Sequence, residues 1–163
     1  MKIVTLDDKK RVKILRRRMA DFDFAKHNKK ELRELMGQMK QTMRDAQGIG
    51  LSANQVGIGS DFFVAEVENK FYTIFNPRIE KLSKETISLE EGCLSVPGVY
   101  GQVERPTKVT LIGYDINGKK IKIKAWGLLA RVFQHEVDHL NGKLFIDKCK
   151  ELYKIEKLTD NNS

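Results

Sequence analysis

Two histidines and a glutamate in the stretch QHEVDHLNG, Gln134–Gly142, carry the strongest chemical signal in the chain. His135 and His139 stand four residues apart, so on a helix they share one face and both imidazoles reach a single metal ion. Glu136 then lies about 100° round the same helix. From there its carboxylate meets a water activated by the metal without ligating the metal itself. That is the zinc-hydrolase arrangement, in which the ion lowers the pKa of water and the carboxylate moves the proton. The bland alternative is a helix that happens to carry two polar residues per turn, so the rest of the chain has to decide.

Two histidines leave a catalytic metal one protein ligand short. A metzincin would need histidine where Phe145 stands, which excludes that class. Glu151 and Glu156 meet a gluzincin spacing only by stretching it. Upstream, Cys93 sits in EEGCLSVP (Glu90–Pro97), an acidic segment flanked by glycine and proline rather than an apolar run. It completes a Cys-His-His set with a fourth position open for water, and thiolate with imidazole suits iron or zinc. A second unusual stretch is GIGLSANQVGIG, with four glycines in the twelve residues from Gly48 to Gly59. Such density marks backbone that adopts positive φ or approaches something closely. The dinucleotide-fingerprint reading is weak because the stretch follows a helix, not a strand. Gln55 is its one strong side-chain donor; the competing reading is a loop amide satisfied by backbone.

These residues need elements to hold them. Leu32, Leu35, Met36, Met39 and Met43 recur at three- and four-residue steps, which predicts an amphipathic core helix over Lys29–Ala46. Asn28 caps it and Gly48 and Gly50 end it. Before it, Val12, Ile14, Leu15 and Met19 suggest a short amphipathic turn, and Asp21–Asn28 a loop with His27 at the surface. Asp61–Val67 and Lys70–Phe75 read as a hairpin turning near Glu68-Asn69, broken by Asn76-Pro77. Arg78–Leu89 holds a further strand or two. Val109–Tyr114 and Lys119–Ala125 form a hairpin across Asn117-Gly118. The site helix starts near Trp126-Gly127, is buried through Leu128, Leu129, Val132 and Phe133, and stops at Asn141-Gly142. Phe145 and Ile146 return to the core, Lys148–Leu158 reads as a short helix, and Thr159–Ser163 as a frayed tail. The expected fold class is α+β: an N-terminal helix and antiparallel hairpins packed around a central HExxH helix, in one domain over 1–163.

The 163 residues suffice to bury about 70% of the surface of the unfolded chain. No apolar run approaches the length that spans a bilayer, and the basic N-terminus lacks a signal peptide's apolar region. Two cysteines are too few for a disulfide framework, which favours a reducing compartment. The net charge of +8 is read first as solvated surface and second as a docking aid. No aromatic-interleaved basic motif of the RNA-binding kind appears, and no specific nucleic-acid sequence is expected as a partner.

GIGLSANQ, EGCLS and QHEVDHLNG, in that order, resemble the three signature motifs of the peptide deformylase family, with the likeness running from about Gln47 to Asp147. Ser52 departs from the alanine usual in the first motif. The N-terminal segment lacks the family's common proline-containing stretch, and the C-terminal region is short. The resemblance implies Cys93, His135 and His139 as metal ligands and Glu136 as acid/base. It implies an oxyanion hole from Gln55 and the Leu94 N–H, and backbone contacts to substrate from Gly50. Ile49, Glu91, Val132 and Phe133 would line or support a methionine pocket, and Arg105 would pair with Glu91. The implied cofactor is Fe²⁺, replaceable by Zn²⁺ or Ni²⁺. The implied substrate is an N-formyl-methionyl nascent peptide, met by a monomer in a bacterial-type cytoplasm, with the ribosome surface as a further partner. Organellar and phage versions of the family exist. Two rivals stay open: a zinc endopeptidase, which needs an open cleft, and a non-catalytic basic module, which needs four closed ligands to a structural metal, with Cys149 as the spare candidate.

Overall fold

The apolar run Phe62-Phe63-Val64-Ala65 is buried on both faces of one strand, β2 (Phe62–Val67). Side chains alternate along a strand, so each face is a separate set. Phe62 and Val64 pack with Leu32, Met36, Met39 and Met43 of α1 (Lys29–Asp45). Phe63, Ala65 and Val67 pack with Val132, Phe133 and Leu140 of α2 (Gly127–Leu140). The computed structural model describes residues 1–155. Within them β2 is the second strand of an antiparallel sheet ordered β1-β2-β3-β6-β7, with β1 at Gly50–Ser52, β3 at Lys70–Leu82, β6 at Lys108–Tyr114 and β7 at Lys120–Trp126. A second antiparallel sheet runs β4-β5-β8, formed by Thr86–Cys93, Val96–Pro106 and Leu152–Lys154. The fold is thus mixed helix and antiparallel sheet, and α2 packs against strands of both sheets. No helix among the described residues is long and apolar enough to cross a membrane.

Local signals account for most boundaries. Asn28 accepts the Glu31 N–H at 2.8 Å and so caps α1. Glu68 and Asn69 both adopt positive φ, 52° and 63°, as a tight primed turn between β2 and β3 requires. Val12–Arg16 forms a short 3-10 turn that buries Leu15, and His27 is exposed.

Four expectations need correction. Asn76-Pro77 does not end the strand: β3 runs on to Leu82 through a register shift between Phe75 and Arg78. Asn76 takes the left-handed conformation there, and its amide bonds both backbone groups of Phe22, which secures the irregular residues. Lys148–Leu158 is not a helix over its described part. Leu152–Lys154 instead satisfies the open edge of β5, pairing Gly101 with Leu152 and Val99 with Lys154. The expected end of that helix, and the Thr159–Ser163 tail, lie outside the described residues. Gly48 and Gly50 do not terminate α1. Gln47 takes the left-handed turn, and the Gly48 N–H reaches the Met43 carbonyl at 2.9 Å. Leu128, expected on the buried face of α2, is 53% exposed.

Candidate metal centre

α2 begins where β7 ends, with Trp126 as its extended N-cap, and Gly142 at φ 73° follows its last turn. Helical spacing puts His135 and His139 on one face, and their Nε2 atoms lie 3.1 Å apart. Cys93, the last residue of β4, brings its Sγ to 3.2 Å from His139 Nε2. The three ligand atoms lie within 4.8 Å of one another, a metal-capable group among the described residues. A tetrahedral ion at ordinary zinc–sulfur and zinc–nitrogen bond lengths separates such atoms by roughly 3.3–3.6 Å. The two separations that involve His139, 3.1 and 3.2 Å, are close to that range, and the donor set suits one ion. Cys149 is apart from it, packed with Val96, Val103 and Phe145.

The surroundings favour a cation. Burial works against charge on His135, yet the Cys93 and Glu91 side chains outweigh it and push the imidazole pKa up to about 10. His139 is driven well below its usual value, first by burial and then by His135, so it is neutral and able to ligate.

Glu91 anchors this arrangement. Its Oε2 accepts from His135 Nδ1 at 2.9 Å, which turns Nε2 of the same ring toward Cys93 and His139. Arg105 donates to both Glu91 oxygens, at 2.5 and 3.0 Å, and also reaches Asp138 at 2.8 Å. Arg131 donates to Glu91 Oε1 at 2.7 Å and to the carbonyls of Val103 and Ile87. Burial opposes the Glu91 charge, but the His135 and Arg105 bonds prevail and hold its pKa well below the carboxylate range.

Glu136 is 3% exposed, and its Oε2 has no protein partner. Burial raises its pKa to about 7, with nearby His135 and Arg105 pulling the other way. Its carboxylate lies against Gly50 so closely that a Cβ at position 50 would overlap it. The glycine there serves close approach, as its density in the stretch suggested; only Gly57 of the four takes positive φ.

Gln55 sits in a 3-10 turn, Ala53–Val56, after β1. Ser52 donates to its Oε1 through both N–H and hydroxyl, each at 3.0 Å. That directs its amide nitrogen to Ser95 Oγ at 3.1 Å and Cys93 Sγ at 3.5 Å. The adjacent Asn54 donates to the His139 carbonyl at 2.6 Å, tying the glycine-rich stretch to α2.

A cavity of about 590 Å³ opens over these groups. Ile49, Gly50, Gln55, Glu91, Cys93, Leu94, Val132, His135 and Glu136 line it. Phe133 does not: it packs in the core with its ring against Phe63 and Tyr72. Ser52, Asn54, Ser95 and Arg131 support the site without having been singled out for it. Ser52, Asn54 and Ser95 lay inside motifs already marked, whereas Arg131 offered no comparable signal.

The family described as Polypeptide deformylase matches residues 1–154. A peptide deformylase of Treponema pallidum is 46% identical over 121 residues, which cover 74% of this chain and 75% of the relative. One from Chloroflexus aurantiacus is 37% identical across 97% of this chain and 92% of its own length. Among solved structures, a Synechococcus elongatus peptide deformylase in complex with actinonin superposes with a TM-score of 0.84 at 41% identity, covering 93% of this chain and 79% of that one. With the match extending beyond the three motifs to almost the whole chain, this chain belongs to the polypeptide deformylase family, the hydrolases that remove the N-formyl group from nascent peptides.

Proposed function

We propose that Cys93, His135 and His139 hold one catalytic Fe²⁺, replaceable by Zn²⁺ or Ni²⁺, and that the cavity above them takes the formyl-methionyl end of a nascent chain. The observation that carries this is the meeting of the Cys93, His135 and His139 donor atoms, with Cys93, His135 and the buried Glu136 on one cavity wall. The bound ion supplies Lewis acidity, lowering the pKa of water and polarising the formyl oxygen. Glu136, with its pKa near neutrality, takes the proton from water and returns it to the departing amine nitrogen. Gln55 Nε2 and the Leu94 N–H receive the oxyanion that develops on the formyl oxygen. Gly50 offers backbone to the peptide, and Ile49 and Val132 form the methionine pocket, with Glu91 supporting it through His135. The chain acts as one catalytic domain organised on the α2 helix, a monomer in the cytoplasm that works close to the ribosome surface.

The test is a formate assay on iron-loaded, anaerobically handled protein. Formate release is expected from formyl-Met peptides, with little acetate release from acetyl-Met peptides and no internal cleavage, because a tight site rejects the added methyl. Internal cleavage of an unformylated peptide without formate release would transfer the site to the endopeptidase reading.

A further inference from the structure

A second cleft, of about 640 Å³, crosses β3, β6 and β7 and shares no lining residue with the first. Lys81, Lys108, Lys124 and Trp126 line it. Register places Lys81 opposite Thr110 and Thr110 opposite Lys124, so the two lysines end a row of three strands, roughly 10 Å apart. Lys108 faces Trp126 two residues further along the same face. The inward positions between them, Val109 and Ala125, are buried. Trp126 is 71% exposed, more than any other large apolar residue among those described.

Lysines on an edge strand commonly guard against strand-to-strand aggregation, and β7 is an edge. That explains Lys124, and also Lys81, because β3 past Phe75 no longer has β2 beside it; it explains neither Lys108, which lies between β3 and β7, nor an indole left in water. The nearby acids are engaged elsewhere: Glu80 pairs with Lys122 at 2.7 Å, and the Glu85 carboxylate accepts from the Thr107 hydroxyl. Among the described residues the three cleft lysines make no ion pair. Unpaired cations round an exposed aromatic plane match single-stranded RNA, which offers phosphates to the first and a base face to the second. A second copy of a chain with net charge +8 would be repelled here.

We propose that this face docks on single-stranded RNA, with Lys81, Lys108 and Lys124 on the phosphates and a base stacked on Trp126. The setting, an enzyme working beside an RNA-rich ribosome, rests on the function proposed above; the contact chemistry does not.

Trp126 is the sole tryptophan, so its own emission reports the site. Titration with a short oligouridylate is expected to quench it saturably. Replacing Lys81, Lys108 and Lys124 together by Ala should lower the slope of log affinity against log salt by about 2, at ~0.7 per lost phosphate contact. Trp126→Ala, read by anisotropy of labelled RNA, should weaken binding about tenfold. A charge-matched control, Lys29→Ala with Lys30→Ala and Arg33→Ala on the exposed face of α1, should leave affinity near wild type. Formate release from a free formyl-Met peptide should be unchanged in every variant, which separates this proposal from the catalytic one. Absence of quenching, equal weakening by the control, or preferential binding to anionic lipid vesicles would overturn it.

Discussion

Oε2 of Glu91 lies 2.9 Å from Nδ1 of His135, and the same carboxylate holds the two buried guanidinium groups of Arg105 and Arg131. One side chain thus fixes the His135 ring and joins β4, β5 and α2. Removing it leaves buried Arg131 without its carboxylate and Arg105 with Asp138 alone, and unpairing a buried charge typically costs about 3–5 kcal/mol.

Glu91→Ala is accordingly expected to unfold at markedly lower denaturant. Glu91→Gln keeps one acceptor oxygen and most of the shape. It should fold yet lose roughly 10–100-fold in metal affinity, as loss of a partner to a ligating histidine typically does. Chelator competition measures this. A Gln variant with wild-type metal affinity would show that the ring is held by other contacts.

The two cysteines should separate cleanly. Cys93→Ala removes the one thiolate near His135 and His139 and should bind well under one metal equivalent, whereas Cys149→Ala should keep it, since Cys149 packs among Val96, Val103 and Phe145. Elemental analysis of the two variants, each purified with iron present, decides. Full metal in the first would mean the ligand set is misassigned.

Gly50 and Glu136 form a pair in which one side chain occupies the space the other residue lacks. Gly50→Ala should displace the carboxylate and lower kcat by about 10²-fold, because small misplacements of a reacting group cost that much. Glu136→Gln should cost ~10²–10⁴-fold with metal retained. Single-turnover formate release together with metal content tests both. Near-normal turnover in Glu136→Gln would remove it from the proton transfer.

How much of this was legible follows from how local each cause is. The histidine pair and the methionine stripe are helical spacings within one element, and the Asn117-Gly118 turn is set by its own residues, so all three could be read directly. β8 forms because β5 offers an open edge, and β3 survives Asn76-Pro77 because Phe22, distant in sequence, bonds Asn76. Neither cause lies near the segment it shapes. Val132 and Phe133 are adjacent on a helix and diverge by about 100°. Both touch the core, but only Val132 also meets the cavity, because the Phe133 ring packs against Phe63 and Tyr72 of the sheet. Arg131 was hidden for a related reason: in an apolar helix it reads as a surface residue until the carbonyls of Ile87 and Val103 and the carboxylate of Glu91 are placed around it.

The last prediction concerns Ser52, which stands where the family usually has alanine. Gln55 Oε1 takes two hydrogen bonds from Ser52, one from the backbone and one from the hydroxyl. The backbone bond survives any substitution that keeps the turn. The hydroxyl has a single proton to divide between Gln55 Oε1 and Asn54 Oδ1, the latter at 2.8 Å. Ser52→Ala therefore removes at most one bond, worth about 1 kcal/mol, from the group that aims the Gln55 amide nitrogen. Its kcat should fall severalfold, with KM little changed. Gln55→Ala should fall by the ~10²–10³-fold typical of a lost oxyanion donor, again in kcat. In the double variant Ser52→Ala adds nothing, because the hydroxyl acts only through Gln55. Steady-state kinetics on the two single variants and the double settle it. Additive losses in the double would mean that Ser52 serves the turn and Asn54 and not the Gln55 amide.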